Sequence, residues 1–275
     1  QEFYERSADF PGINVVTEPI RTYTKGSLAS HVIGYIGKIS ESELKTRKEK
    51  YSANDYIGKT GVEAVLEEYL KGEDGKKQID MTVDGTTTGE YVTKEAVSGS
   101  DVILTIDANL QKVAEDSLKT TIEKVKNGEF FEQYDAKGGT VVVTNVKTGE
   151  VLALVSYPDY EPSVMYNGVS KDKLNEYNEQ KAFYNRAISG AYAPGSIFKM
   201  VTAVAGLETG AITRTEKIRD TGIYSKYGES WKCWYYTEHK TGHGYINVSG
   251  AIQKSCNYFF YEVGDRMGID TLAKY

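Results

Sequence analysis

Two cysteines, Cys233 and Cys256, are all that the 275 residues contain. That is too few for a disulfide framework, and such low usage does not fix the compartment. Positive charge is also short, with 33 Lys+Arg against 39 Asp+Glu and a net charge of −6. With no basic surplus to neutralise a run of phosphates, nucleic acid is not an expected partner. Apolar stretches such as Val151–Val155 fall far short of the ~20 residues that a membrane helix needs. Glu2, Glu5 and Arg6 arrive before the apolar run of a signal peptide could form. Proline is scarce, 5 residues against 27 glycines and 22 tyrosines, which suggests turn-rich stretches with broad, partly wet surfaces. What remains is an ordinary folded composition, 40% hydrophobic and 26% charged, in a length that suits about two domains.

Pattern along the chain supports an α+β architecture. Short β-type runs at Ile13–Val16 and His31–Ile36 are broken by Pro11-Gly12, Pro19 and Gly26. Ser40–Lys50 reads as a solvated helix, and Val62–Leu70 as an amphipathic one ending at Gly72. Turns are expected at Glu73–Lys77 and Gly85–Gly89, with strands on either side. A boundary falls near Ser98-Gly99-Ser100. Beyond it, Val102–Ile106 is expected to be a strand, and Asp107 caps a helix over Ala108–Val125. Thr140–Val146 and Val151–Tyr157 form a hairpin, and Asp159–Gly190 reads as a long loop with one short helix.

The chemistry concentrates at Ser196 and Lys199. Pro194-Gly195 turns the chain, Ser196 starts a helix, and Ile197, Phe198, Met200, Val201, Val204 and Leu207 surround it, so the helix is expected to be buried all round. Residues i and i+3 share a face. A serine oxygen is a weak nucleophile that needs an adjacent base. A lysine serves as that base when burial strips its proton near neutral pH. Ser-x-x-Lys occurs three times, and Ser42/Lys45 and Ser170/Lys173 lie in charged, solvated stretches. Only Ser196/Lys199 has the Pro-Gly turn and the apolar helix. Further on, Ser255-Cys256-Asn257 supplies Ser-x-Asn, the second element of the serine acyl-enzyme set.

In order and spacing these elements resemble the penicillin-binding protein transpeptidases. Pro11-Gly12-Ile13, Arg21-Thr22-Tyr23, His31-Val-Ile-Gly-Tyr35 and Gly58-Lys-Thr-Gly-Val-Glu63 are similar to the class B pedestal. Leu104-Thr-Ile-Asp107 and Thr148-Gly-Glu-Val-Leu-Ala153 are similar to the start of the transpeptidase domain. Gly242-His-Gly244 through Asn257, then Met267-Gly-Ile-Asp270, resembles the elongation-type branch. The resemblance implies a β-rich pedestal over residues 1–99 and a partial transpeptidase domain over 100–275, an antiparallel sheet with helices packed on it. It implies that Ser196 attacks the penultimate D-Ala of a peptidoglycan stem peptide and that Lys199 is the base. Ser255 would relay a proton, Asn257 would hold the substrate amide, and the Ser196 N–H would form half of the oxyanion hole. β-Lactams would acylate the same serine, and no cofactor is implied. The expected partners are stem peptides and the cell-wall elongation or division machinery, at the extracytoplasmic face of a bacterial membrane, with an anchor upstream of Gln1. A β-lactamase or β-lactam sensor and a catalytically silent scaffold are the rival readings, and the pedestal argues against a free lactamase.

Two further patterns are weaker. Lys-Thr-Gly occurs at Lys59–Gly61, Lys147–Gly149 and Lys240–Gly242. In the family the active copy follows Ser-x-Asn on an inner strand, so all three read as turns. With Tyr275 only 18 residues past Asn257, the fragment is expected to lack that strand and to bind penicillin poorly by itself. Cys233, His239, His243 and Cys256 contain a ligand-type His-x-x-x-His, and some elongation-type relatives carry a metal near this loop. The competing readings are a Cys233–Cys256 disulfide and ordinary packing. Packing, with no metal, is the expectation, and Trp231 and Trp234 read as loop or cleft-rim packing.

Overall fold

Ser40 starts the first well-defined helix by a reciprocal cap. Its Oγ accepts from the Glu43 N–H (3.3 Å) while its own N–H donates to the Glu43 carboxylate (2.8 Å). The computed structural model describes residues 20–275 apart from 49, 84–86 and 131, so Pro11-Gly12-Ile13, the Ile13–Val16 run and Gly85 lie outside the described residues. The chain divides into two compact units, Gln1–Ala191 and Tyr192–Tyr275.

In the first unit the order is α1 (Ser30–Ile33), β1 (Ile36–Lys38), α2 (Glu41–Arg47), β2 (Tyr56–Gly58), α3 (Gly61–Val65), α4 (Glu67–Leu70), β3 (Lys76–Met81) and β4 (Thr87–Lys94). Then come α5 (Ala108–Asn127), β5 (Gly139–Thr144), β6 (Val151–Tyr157), α6 (Pro162–Asn167), α7 (Lys171–Glu179) and α8 (Arg186–Ser189). Each sheet is an antiparallel pair, β1 with β2, β3 with β4, and β5 with β6. Three early motifs converge. Arg21 Nη2 donates to the buried Glu63 carboxylate at 2.8 Å, and the Ile36 N–H donates to the Tyr23 hydroxyl at 3.1 Å. Gly34, at φ +81°, lies so close to α3 that a Cβ there would sit 1.9 Å from the Thr60 carbonyl oxygen. Tyrosine serves both as an exposed residue, as at Tyr69, Tyr91, Tyr134, Tyr192 and Tyr227, and as a core residue. Tyr160, Tyr177 and Ala182 form a buried cluster with Tyr35 and Phe183. The Tyr160 hydroxyl donates to the Ser30 carbonyl at 2.9 Å, and His31 Nε2 lies 2.6 Å from the Ala182 carbonyl.

Several expectations need correction. His31–Ile36 is not extended throughout: its first residues belong to α1. The helix expected over Val62–Leu70 breaks at Leu66 into α3 and α4. Asp159–Gly190 holds three helices rather than one. Val102–Ile106 forms no strand. It reaches β6 only through Thr105 Oγ1 donating to the Val151 carbonyl (2.7 Å) and, just beyond it, the Asp107 N–H donating to Leu152 O (2.9 Å). The edge of β6 is then taken by a side chain. Gln111, fully buried on α5, accepts from the Leu154 N–H (2.8 Å) and donates to the Leu154 carbonyl (3.0 Å). Asp107 does cap α5, accepting from the Asn109 and Leu110 N–H groups.

In the second unit a 3₁₀ turn, Gly195–Phe198, leads directly into α9 (Lys199–Glu208). There follow β7 (Ile218–Asp220), β8 (Ile223–Tyr224), β9 (Trp231–Lys232), α10 (Trp234–His239), β10 (Gly244–Ile246), α11 (Val248–Gln253), α12 (Asn257–Met267) and α13 (Ile269–Leu272). β7 pairs antiparallel with β10, and β8 with β9. The core joins Ala203 and Ile212 to Ile218, Ile246, Val248, Ala251, Phe259, Phe260 and Val263, with both cysteines inside it. Gly206 lets α9 approach α12, since a Cβ there would lie 2.7 Å from Val263. Only this face of α9 is covered. Thr202, Ala203, Ala205 and Gly206 are buried, while Ile197, Phe198, Met200, Val204 and Leu207 are exposed, contrary to the all-round burial expected. The apolar pattern is there, but the second unit leaves that side exposed. Gly268 is the cap of the last helix, with Asp270 in its first turn.

Gly34→Ala combines a left-handed backbone with a clash against rigid main chain. It should destabilise the protein by more than about 2 kcal/mol, read as a lowered midpoint in urea unfolding.

Candidate functional site

The second unit draws Ser196, Lys199, Ser255 and Asn257 together around one nitrogen. Ser196 and Lys199 stand one turn apart because the 3₁₀ turn runs into α9 without a break. Ser255 and Asn257 come from the corner between α11 and α12. That corner is made by Ser255 itself, which adopts the left-handed conformation at φ +48°. The Ser255 N–H donates to Ile252 O (3.0 Å) and the Cys256 N–H to Ala251 O (2.9 Å), closing the end of α11. A left-handed residue with a Cβ costs about 1–2 kcal/mol, and strain of this kind gathers at functional sites.

Around Lys199 Nζ lie Asn257 Oδ1 at 2.6 Å, the Ser255 carbonyl at 2.8 Å, Ser255 Oγ at 3.1 Å and Ser196 Oγ at 3.2 Å. Of these four oxygens, the carbonyl and the amide oxygen can only accept, whereas either hydroxyl can also donate. A neutral amine has two N–H groups and one lone pair. Its two N–H groups suit the two obligate acceptors, which leaves the lone pair for a serine hydroxyl. Burial shifts the Lys199 pKa below that of an ordinary lysine, and interaction with Cys256 and Cys233 opposes the shift without cancelling it. Ser196 is exposed and Lys199 half-buried. The other Ser-x-x-Lys pairs are structural. Ser170 caps α7 by accepting from the Lys173 N–H, and Ser42 hydrogen-bonds Ser40 on exposed α2. The three Lys-Thr-Gly copies are local punctuation: Thr60 is the N-cap of α3, Lys147–Gly149 lies in the hairpin turn, and Lys240 ends α10.

Directly behind Ser255 and Asn257 lies a second cluster. Asp220, Cys233, His243 and Cys256 each offer one ligand atom, and all four atoms lie within 4.8 Å of one another. The side chain of Asp220 is fully buried and that of His243 nearly so. The Asp220 carboxylate accepts from His243 Nδ1 (2.7 Å), the His243 N–H (3.1 Å), the Gly222 N–H (2.6 Å) and the Cys256 thiol (3.3 Å). Burial alone would push its pKa up, but these hydrogen bonds together hold it below the ordinary carboxylate value. Cys233 Sγ lies 3.8 Å from His243 Nδ1. A tetrahedral zinc with ligand bonds of about 2.0–2.3 Å keeps its ligand atoms roughly 3.3–3.8 Å apart. Two thiols, an imidazole and a carboxylate at these spacings therefore fit such an ion, which when bound would contribute to folding. The sequence pattern had pointed to His239 instead. His239 is exposed and lies tilted against Tyr235, 4.3 Å between ring centroids. Asp220 was missed because no ligand spacing links it to the cysteines. Its only local mark is the Asp-Thr-Gly turn, and Gly242, whose Cβ would meet the Asp220 carbonyl at 2.2 Å, brings His243 against it. Trp234 packs nearby, its Nε1 donating to the Lys254 carbonyl at 3.0 Å.

A family model described as the penicillin binding protein transpeptidase domain matches residues 139–275, and a penicillin-binding protein dimerisation domain matches residues 1–104. The chain is a class B penicillin-binding protein. Among its relatives is the peptidoglycan D,D-transpeptidase MrdA of Acinetobacter baumannii, 33% identical over 277 residues, covering 100% of this chain and 38% of the relative. The crystal structure of Pseudomonas aeruginosa PBP2 in complex with WCK 5153 superposes with a TM-score of 0.70 at 29% identity, covering 94% of this chain and 50% of that one. The complex between PBP2 and MreC from Helicobacter pylori gives a TM-score of 0.71 at 29% identity, covering 92% and 44%. This penicillin-binding protein sequence thus spans about two fifths of the curated relative's length.

Asp220→Ala would leave its donors without an acceptor in a dry environment. It should lower stability by about 3 kcal/mol or more, measured by urea unfolding.

Proposed function

We propose that this chain carries the pedestal (residues 1–99) and the acylating part (residues 100–275) of a peptidoglycan D,D-transpeptidase working at the extracytoplasmic face of a bacterial membrane. One observation carries the reading: Lys199 Nζ lies within hydrogen-bond reach of Ser196 Oγ, Ser255 Oγ and Asn257 Oδ1 at once. That geometry supports a serine acyl-enzyme route. Ser196 Oγ attacks the carbonyl carbon of the penultimate D-Ala as its proton passes to Lys199 Nζ. The Ser196 N–H, at the start of a helical turn, is one donor for the oxyanion. The C–N bond to the terminal D-Ala then breaks, and Ser255 relays the proton from Lys199 to the leaving amine. An amine from a neighbouring stem peptide resolves the ester and restores Ser196. Asn257 orients Lys199 through Oδ1 and holds the substrate amide. A β-lactam, whose strained amide mimics the scissile bond, enters by the same attack.

The relatives support a partner class as well. The Helicobacter pylori structure pairs PBP2 with MreC, and another relative is described as part of a peptidoglycan synthase complex. By analogy, the elongation machinery is the proposed partner of this chain.

Labelling the full-length protein with fluorescent penicillin and mapping the adduct tests the nucleophile. The label is expected on the Ser196 peptide and lost in Ser196→Ala; an adduct on Ser255, Ser170 or Ser42 would overturn the assignment.

The base is tested separately by pH. Because the Lys199 pKa is lowered, the neutral amine, and with it the acylation rate, should rise with pH and level off below the ~10.4 of free lysine. Lys199→Arg keeps the charge but cannot give up a proton, so acylation should fall by about 10²-fold or more. A comparable rate in the arginine variant would remove Lys199 as the base.

A further inference from the structure

A cavity of about 400 Å³ opens in the first unit, where the turn leading into α1 meets α5 and the end of β6. Its size is that of a small-molecule site. The charged side chains of its lining are balanced in sign, Lys25, Lys112 and Lys119 against Glu115, Asp116 and Asp159. Among the described residues one ion pair closes within this set, Lys112 Nζ with Asp116 at 3.0 Å, and both of its members are exposed.

Glu115 is half-buried. Its Oε1 accepts from the Ala29 N–H at 2.9 Å and from Gln111 Nε2 at 2.8 Å, while Oε2 has no hydrogen-bond partner among the described residues. Burial raises the Glu115 pKa, the two hydrogen bonds oppose the rise, and the Asp159 and Asp116 carboxylates add to it. The half-buried Asp159 side chain is also without a hydrogen-bond or ion-pair partner among the described residues. Two nearby groups that could supply charge do not. Burial holds His31 toward its neutral form, and the Arg186 guanidinium donates to the Gln180, Lys181 and Tyr184 carbonyls. Lys119 stands one turn beyond Glu115, a spacing at which a Glu–Lys pair can close on a helix. Here Lys119 and Lys25, both exposed, leave the carboxylates open.

A half-buried carboxylate with a free oxygen is costly until a donor reaches it. A bare cation in this cavity would meet two unpaired lysines, and a bare anion two unpaired carboxylates. A molecule that carries one ammonium and one carboxylate meets both needs. We propose that the cavity binds a small zwitterion, a free amino acid or a short peptide, with its ammonium on Glu115 Oε2 and Asp159 and its carboxylate on Lys25 and Lys119. Glu115 Oε1 already holds the Ala29 N–H at the left-handed N-cap of α1, φ +54°. The ligand would therefore engage the second oxygen of the carboxylate that fastens α1 to α5.

The test is calorimetric titration of the full-length protein with glycine and triglycine. Neither probe has a D-Ala–D-Ala bond, so the outcome does not depend on the transpeptidase reading. Saturable binding is expected by ~10 mM, where a complex with a Kd of ~1 mM is mostly formed. Acetate and methylammonium, each with half of glycine's charge, should bind about 10-fold more weakly or worse. Triglycine binding more tightly than glycine identifies a peptide as the occupant, and the reverse order a free amino acid. Glu115→Gln should weaken binding about 10-fold or more. Should that variant lose its fold with the Ala29 contact, Asp159→Asn, nearly the same in shape, and Lys119→Met, on an exposed position of α5, carry the same test. The proposal fails if neither probe binds at ~10 mM, if acetate or methylammonium binds as well as glycine, or if Asp159→Asn and Lys119→Met bind as the unaltered protein does.

Discussion

Lys199 Nζ meets more oxygen atoms than a neutral amine has hydrogens, and the arrangement of the second unit follows from that surplus. Two of the oxygens can only accept, and they come from the α11–α12 corner, so the amine is held from one side while its remaining valence faces the serine hydroxyls. The lysine stem leaves α9 exactly one turn after Ser196. In the proposed reaction, an amine held by two fixed acceptors would need little rearrangement before it takes a proton, which is the sense in which such a site is preorganised.

That hold depends on the corner, and the corner depends on an uncomfortable backbone. Ser255 adopts a conformation that glycine would take without strain, yet a glycine would bring no hydroxyl to Lys199. The strain has to be offset nearby, and the structure offers two contributors: the burial of Phe259, Phe260 and Val263 behind α12, and the polar cluster in which Asp220 gathers donors from three separate stretches of chain. The residues gathered around Lys199 Nζ and the residues of the buried polar cluster are therefore interleaved in sequence, with Cys256 between Ser255 and Asn257.

This interleaving explains what could be read beforehand. Ser196, Lys199, Ser255 and Asn257 were legible because their meaning is local: a turn before a helix, one helical turn of spacing, a second short motif. The hairpin of β5 and β6 and the Asp107 cap were legible for the same reason, as each is written in a few consecutive residues. Asp220 was not, since its role is set by a carboxylate meeting an imidazole and two thiols from elsewhere in the chain. The exposed side of α9 was misjudged because a periodic pattern tells which residues want cover without saying where the cover comes from. Leu66 broke the helix expected over Val62–Leu70, and the split at that position has no evident signal in the amino-acid pattern.

Gln111 has a consequence of another kind. A strand edge with free N–H and C=O groups is a template on which a foreign strand can assemble. On β6 the exposed hydrogen-bonding edge is answered at Leu154 by an amide side chain whose donor and acceptor imitate those of a peptide group, with Thr105 and Asp107 satisfying the two carbonyls before it. One glutamine on a helix thereby does the work of a neighbouring strand, and leaves Leu154 with no free peptide group for a foreign strand to pair with.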